Sequence, residues 1–139
     1  SSLTFAQDYN LIHWDKNRPL TWDDFNGTPN ATSPHDAETV TVVTSEWEGE
    51  QTHEGKVNVT SVTATAFFNS SASWVKEGKK SDDLLKHEQG HFDIAQIHAK
   101  EKQKEMEKVV GKLFASAEEV EKKIHEICDK IQKELDKMN

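Results

Sequence analysis

Lys86-His87-Glu88-Gln89-Gly90-His91-Phe92-Asp93 is the stretch around which the chain is organised. It contains His-Glu-x-x-His within a segment whose composition predicts a helix from Asp82 onward. Histidines four apart project from one side of a helix, so two neutral imidazoles at that spacing can grip one divalent ion. Glu88, beside the first histidine, is then placed to take a proton from a water that the metal activates. Tetrahedral zinc held by N and O donors needs one more protein ligand and keeps a position for water or substrate. His87 and His91 are therefore the candidate Zn2+ ligands and Glu88 the candidate general base.

Ser81 is a good N-cap for this helix, and Asp82 and Asp83 complement the dipole in its first turn. The helix is expected to reach about Val110, burying Leu85, Phe92, Ala95, Ala99, Met106 and Val110. Gly90 in its middle costs roughly 1 kcal/mol against alanine. Close approach of a neighbouring strand would account for it. Gly111 to Ser116 makes a break, and Ser116 caps a second helix running through Met138. There Val120, Ile124, Ile127, Ile131, Leu135 and Met138 recur every three or four residues, a narrow stripe suited to packing on the first helix.

Upstream, Thr39–Trp47 is β-branched and partly alternating, Gly49–Gly55 is a polar turn, and Lys56–Phe68 is a second β segment. Its apolar residues fall on odd numbers at Val57 and Val59 but on even numbers at Val62, Ala64, Ala66 and Phe68. A side-chain period of two cannot change phase unaided, so a bulge or twist is expected near Thr60-Ser61. An edge such as Val62–Phe68 would suit an extended peptide. Residues 1–37 read as irregular, with a short strand at Leu11–Trp14. A helical turn is expected at Thr21–Phe25, anchored by Trp22 and Phe25.

The 139 residues suggest one domain, with 1–75 forming the irregular part and sheet and 79–139 the helices. The expected fold class is α+β: a small antiparallel sheet of three or four strands followed by a two-helix hairpin. A net charge of −8 offers no basic face for phosphates and argues against nucleic acid. No apolar run approaches the roughly 20 residues that span a bilayer. Ser1–Phe5 reads as a processed or trimmed end rather than a signal segment. The single cysteine, Cys128, has no internal partner. Asn26, Asn30, Asn58 and Asn69 head Asn-x-Ser/Thr triplets, which polar turns and strands generate freely.

Geometry narrows the third ligand. In a helical hairpin turning near residue 113, position 135 lies opposite His91 and position 139 opposite His87. Glu134 and Asp136 fall in that window, with Glu134 taken first. His98 is about 10 Å along the axis from His91, and the mirror position of His125 about 15 Å, both too far. The metzincin pattern requires glycine and histidine where Ile94 and Ile97 stand, which excludes that subclass. Asp93 points away from the His87/His91 side, towards supporting or capping work.

The run His87–Ala95, with Ser73-Trp74-Val75 and Leu20–Phe25 before it, resembles domain-of-unknown-function family nine-two-two. The resemblance extends from about Ile12 to the second helix. It implies a zincin-like metallopeptidase, secreted or periplasmic, with His87 and His91 on zinc, Glu88 as base, and a peptide or protein as substrate. Gln96 and Lys100 stand where the family carries an acidic residue and an arginine. Members continue past the second helix to a Tyr-Asp-rich segment ending in histidine. The third ligand is thus expected either beyond Asn139 or at Glu134 or Asp136. The alternative is a non-catalytic binding or adaptor module on a zincin-like scaffold with an incomplete site.

Overall fold

A computed structural model describes residues 10–138; the Ser1–Phe5 stretch and the Met138 side chain fall outside the description. The strands are β1 (Leu11–His13), β2 (Ala37–Glu38), β3 (Thr41–Gln51), β4 (Val57–Asn69), β5 (Trp74–Val75) and β6 (Leu113–Phe114). The helices are α1 (Asp82–Met106) and α2 (Ala117–Met138), with 3-10 turns at Trp22–Asp24 and Glu107–Val109. This is an α+β architecture. β4 lies between β1 and β3 in the main sheet and also pairs with β6, while β2 and β5 form a separate ladder. The pairings of β4 with β1 and β6, and of β2 with β5, are antiparallel.

β4 carries the expected change of phase. Val59 and Val62 are both buried with Thr60 and Ser61 exposed between them, and Ala66 and Phe68 continue the even-numbered face. The hairpin is longer than anticipated because polar residues Glu48–Gln51 continue β3. They are exposed, as befits a ribbon tip with water around it.

The chain divides into two compact units, one of residues up to Val43 with Ala66–Ile97, the other of Thr44–Thr65 with His98–Asn139. In the first, an aromatic row forms the interior. The Trp22 and Phe25 rings lie 4.8 Å apart, Phe25 and Phe68 5.0 Å, and Phe68 and Phe92 5.7 Å. The anticipated turn at Trp22 is thus an anchor. Its end is held by Asp24, which accepts from Arg18 at 2.7 and 2.8 Å and from the Thr21 N–H at 2.8 Å. Burial pushes the Asp24 carboxyl up, but those donors outweigh it and hold it below the usual carboxylate range.

The Asn69–Ser73 loop closes by polar contacts. Gly27 donates to the Ser73 carbonyl at 2.8 Å. A Cβ on Gly27 would come within 2.9 Å of the Ala72 and Ser73 backbone, which explains the glycine. Asn26 donates to Ser70 and Asn30 accepts from Thr32, so these two sequon asparagines serve local turns.

In the second unit, Val59, Val62, Met106, Val109, Val120 and Ile124 form one core, edged by Trp47, Val57, Phe114 and Ile127. Val109 is buried and Val110 is exposed, reversing the expectation. The 3-10 turn after Met106 advances about 120° per residue and brings position 109 onto the core side. The break between the helices holds β6, whose Leu113 and Phe114 pair with Asn58 and Val57. The helices are therefore not joined by a bare turn.

The Val62–Phe68 edge is not free for a peptide. Gln103 of α1 accepts from the Ala64 N–H at 2.7 Å and donates to the Val62 carbonyl at 3.0 Å, taking the place of a strand. Trp14 donates to the Ala66 carbonyl, and β1 pairs with Phe67–Asn69.

His98 is half-buried, and its Nε2 has no partner among the described residues. Burial first, and the positive charge of buried Lys102 second, lower its pKa, with Asp136 partly opposing them. The neutral ring is therefore favoured in the fold. Its stabilising contribution is full above the unfolded value of about 6.5 and is lost as pH falls through the lower folded value. In urea titrations from pH 8 to 5, His98→Gln should lose less stability on acidification than the wild type.

Candidate metal centre

The helix that carries the motif starts as the sequence dictates. Ser81 Oγ accepts from the Leu84 N–H at 3.1 Å, and Asp82 and Asp83 occupy the first turn. At about 100° per residue, Glu88 shares a face with Phe92, Ala95 and Ala99, and all four are buried. His87 and His91 lie on the flank of that face and are exposed. Gln89 and Asp93 lie on the other flank.

The two imidazoles converge. Their Nε2 atoms are 3.2 Å apart, with ring planes at 87° and centroids at 4.8 Å. At Zn–N distances of about 2.0–2.1 Å, two vertices of a tetrahedron are separated by about 3.3 Å. The pair thus already has the spacing of a zinc tetrahedron's edge. The same 3.2 Å lies within hydrogen-bond distance, with donor and acceptor set by the ring tautomers.

Glu88 is 3% exposed, although it is a carboxylate on the core side of a helix. Its Oε1 accepts from the Thr39 hydroxyl at 2.7 Å. Its Oε2 lies 4.0 Å from His87 Nε2. No hydrogen bond to Oε2 is present among the described residues. Glu88 thus has one oxygen engaged by the protein and the other free beside the imidazoles. His87, Glu88 and His91 together offer ligand atoms that all lie within 4.8 Å of one another. The residues present fit a divalent ion: two imidazole nitrogens with a carboxylate beside them.

The rest of the extended motif holds the helix in place. Gln89 Oε1 accepts from the Leu20 N–H at 2.7 Å, and Gln89 Nε2 donates to Asp93 Oδ1 at 2.9 Å. That same Asp93 oxygen accepts from the Trp14 indole at 2.9 Å. Asp93 does supporting work, as its direction on the helix implied. These bonds tie α1 to the Trp14–Leu20 segment and fix the rotation that turns the histidines outward.

Glu134 lies on α2, exposed, and Asp136 is exposed on the same helix. Both lie in the second unit. Thr39 is the residue that sequence reasoning missed. It reads as the start of the Thr39–Trp47 β segment, whereas it lies between β2 and β3, and no spacing in the sequence aims it at Glu88.

Comparison with family models, with curated proteins and with solved structures found no match.

Gly90 does not meet a strand; a Cβ there would face open space. Gly90→Ala should therefore gain helix propensity without a clash and raise unfolding free energy by about 0.5–1 kcal/mol, read from urea denaturation.

Proposed function

We propose that this chain is a zinc-dependent hydrolase of peptide bonds. The observation that carries the reading is the 3.2 Å convergence of His87 and His91 Nε2 with the buried Glu88 carboxylate beside them. A zinc ion held there would supply Lewis acidity towards a carbonyl and a bound water. His87 and His91 would hold it as neutral imidazoles, each leaving Nδ1 for a proton.

Glu88 Oε2, unbonded and on the histidine side, accepts a proton from the attacking water as its oxygen adds to the carbonyl carbon. When the C–N bond breaks, the same proton passes to the leaving amine nitrogen, so one carboxylate serves as base and then acid. Exposure of both histidines leaves room for a peptide to approach the centre from solvent.

Peptide cleavage by zinc-loaded protein tests the reading, with Glu88→Gln beside it. The account predicts that wild type cleaves an unstructured protein substrate while Glu88→Gln binds zinc and loses at least about 100-fold in kcat. Zinc binding with no cleavage by either form would instead favour a binding module on the same scaffold.

A further inference from the structure

Glu88 has two oxygens, and the chain treats them differently. Oε1 is engaged by Thr39 Oγ at 2.7 Å, whereas Oε2 faces the histidine side, 4.0 Å from His87 Nε2. A threonine hydroxyl has one proton, and the 2.7 Å contact commits it to Oε1. With one oxygen fixed, the carboxylate plane is fixed too, and rotation about the last side-chain bond is suppressed.

Thr39 is itself clamped from both sides. Before it, Glu38 pairs with Trp74 across the β2–β5 ladder and accepts from the Trp74 indole at 2.9 Å. After it, the Val40 N–H donates to Ser73 Oγ at 2.9 Å, and Ser73 is fully buried. Val40 also accepts from the Asn69 N–H at 2.8 Å. A two-residue ladder and a loop serine thus hold one hydroxyl in place against a helix.

We infer that Thr39 is a positioning residue that engages Glu88 Oε1 and reserves Oε2 for the proton of the attacking water. This rests on the metal-hydrolase reading above. It assigns a function to Ser73-Trp74, which secures the residues on either side of Thr39. Outer groups that orient a metal site's functional side chains commonly contribute 10- to 100-fold to activity.

The test compares Co2+-loaded wild type, Thr39→Val, Thr39→Ala, Thr39→Ser and Glu88→Gln, reading the visible d–d bands alongside peptide cleavage. Thr39→Val and Thr39→Ala should keep Co2+ affinity within about threefold, displace the band envelope, and lower kcat about 10- to 100-fold at unchanged KM. Thr39→Ser should restore both. In a Glu88→Gln background, Thr39→Val should add no further spectral change, because its effect passes through that carboxylate.

A wild-type spectrum and kcat in Thr39→Val overturn the inference. A full spectral change that persists in the Glu88→Gln background does so too, as does loss of folding in both hydroxyl-free variants. Failure of wild type to bind Co2+ overturns the metal reading and this role with it. A Thr39-dependent spectrum without any cleavage keeps the positioning role and removes only the peptidase reading.

Discussion

A carboxylate on the core side of a helix is the constraint around which the first unit is built. Glu88 sits where α1 otherwise buries Phe92 and Ala95, and a polar group there must be compensated locally. One hydrogen bond from Thr39 supplies part of that compensation. Its second oxygen is left facing two exposed imidazoles. The β2–β5 ladder ends just before Thr39, and the loop before Trp74 supplies the serine that secures Val40 just after it. On the opposite flank of the helix, Gln89 and Asp93 accept from Leu20 and Trp14. Polar bonds on two flanks set the rotation of α1, and the histidine pair faces outward as a consequence.

The second unit is organised by burial. Met106, Val109, Val120 and Ile124 close over Val59 and Val62, a conventional apolar core. Gln103 adds a device that apolar packing cannot provide. Its side-chain amide satisfies a backbone donor and acceptor of β4 that no strand reaches, so the sheet edge is neither open nor unsatisfied there. The first part of α1 is held by specific polar contacts and its last part by apolar packing. That division suits a functional helix, because hydrogen bonds specify orientation more sharply than apolar contact does.

Long periodic segments were legible before any coordinates. The capped start of α1 at Ser81, the stripe of α2, the hairpin of β3 and β4 and the change of phase at Thr60-Ser61 all follow from spacing. Convergence of His87 and His91 follows from the four-residue interval alone. Pieces too short to carry a period were not legible. β2, β5 and β6 have two residues each, and a two-residue strand is defined by its partner rather than by its own sequence. Thr39 reads as the head of the next β segment, and its contact with Glu88 is a tertiary one that no local spacing encodes. A helical period continued past Met106 places Val110 on the core side, whereas the 3-10 turn puts Val109 there. The expected strand beside Gly90 rested on the cost of a mid-helix glycine, and open space lies there instead.

The central claim is that the His87/His91 pair is a preformed divalent-metal site. Calorimetric titration of zinc into chelator-treated protein, alongside the double variant His87→Ala/His91→Ala, addresses it most directly. The account predicts binding of about one zinc per chain in the wild type, since each chain presents one tetrahedral edge. It also predicts loss of that binding in the double variant, with its circular dichroism unchanged. Zinc binding of equal affinity in both proteins, or none in the wild type, would contradict it.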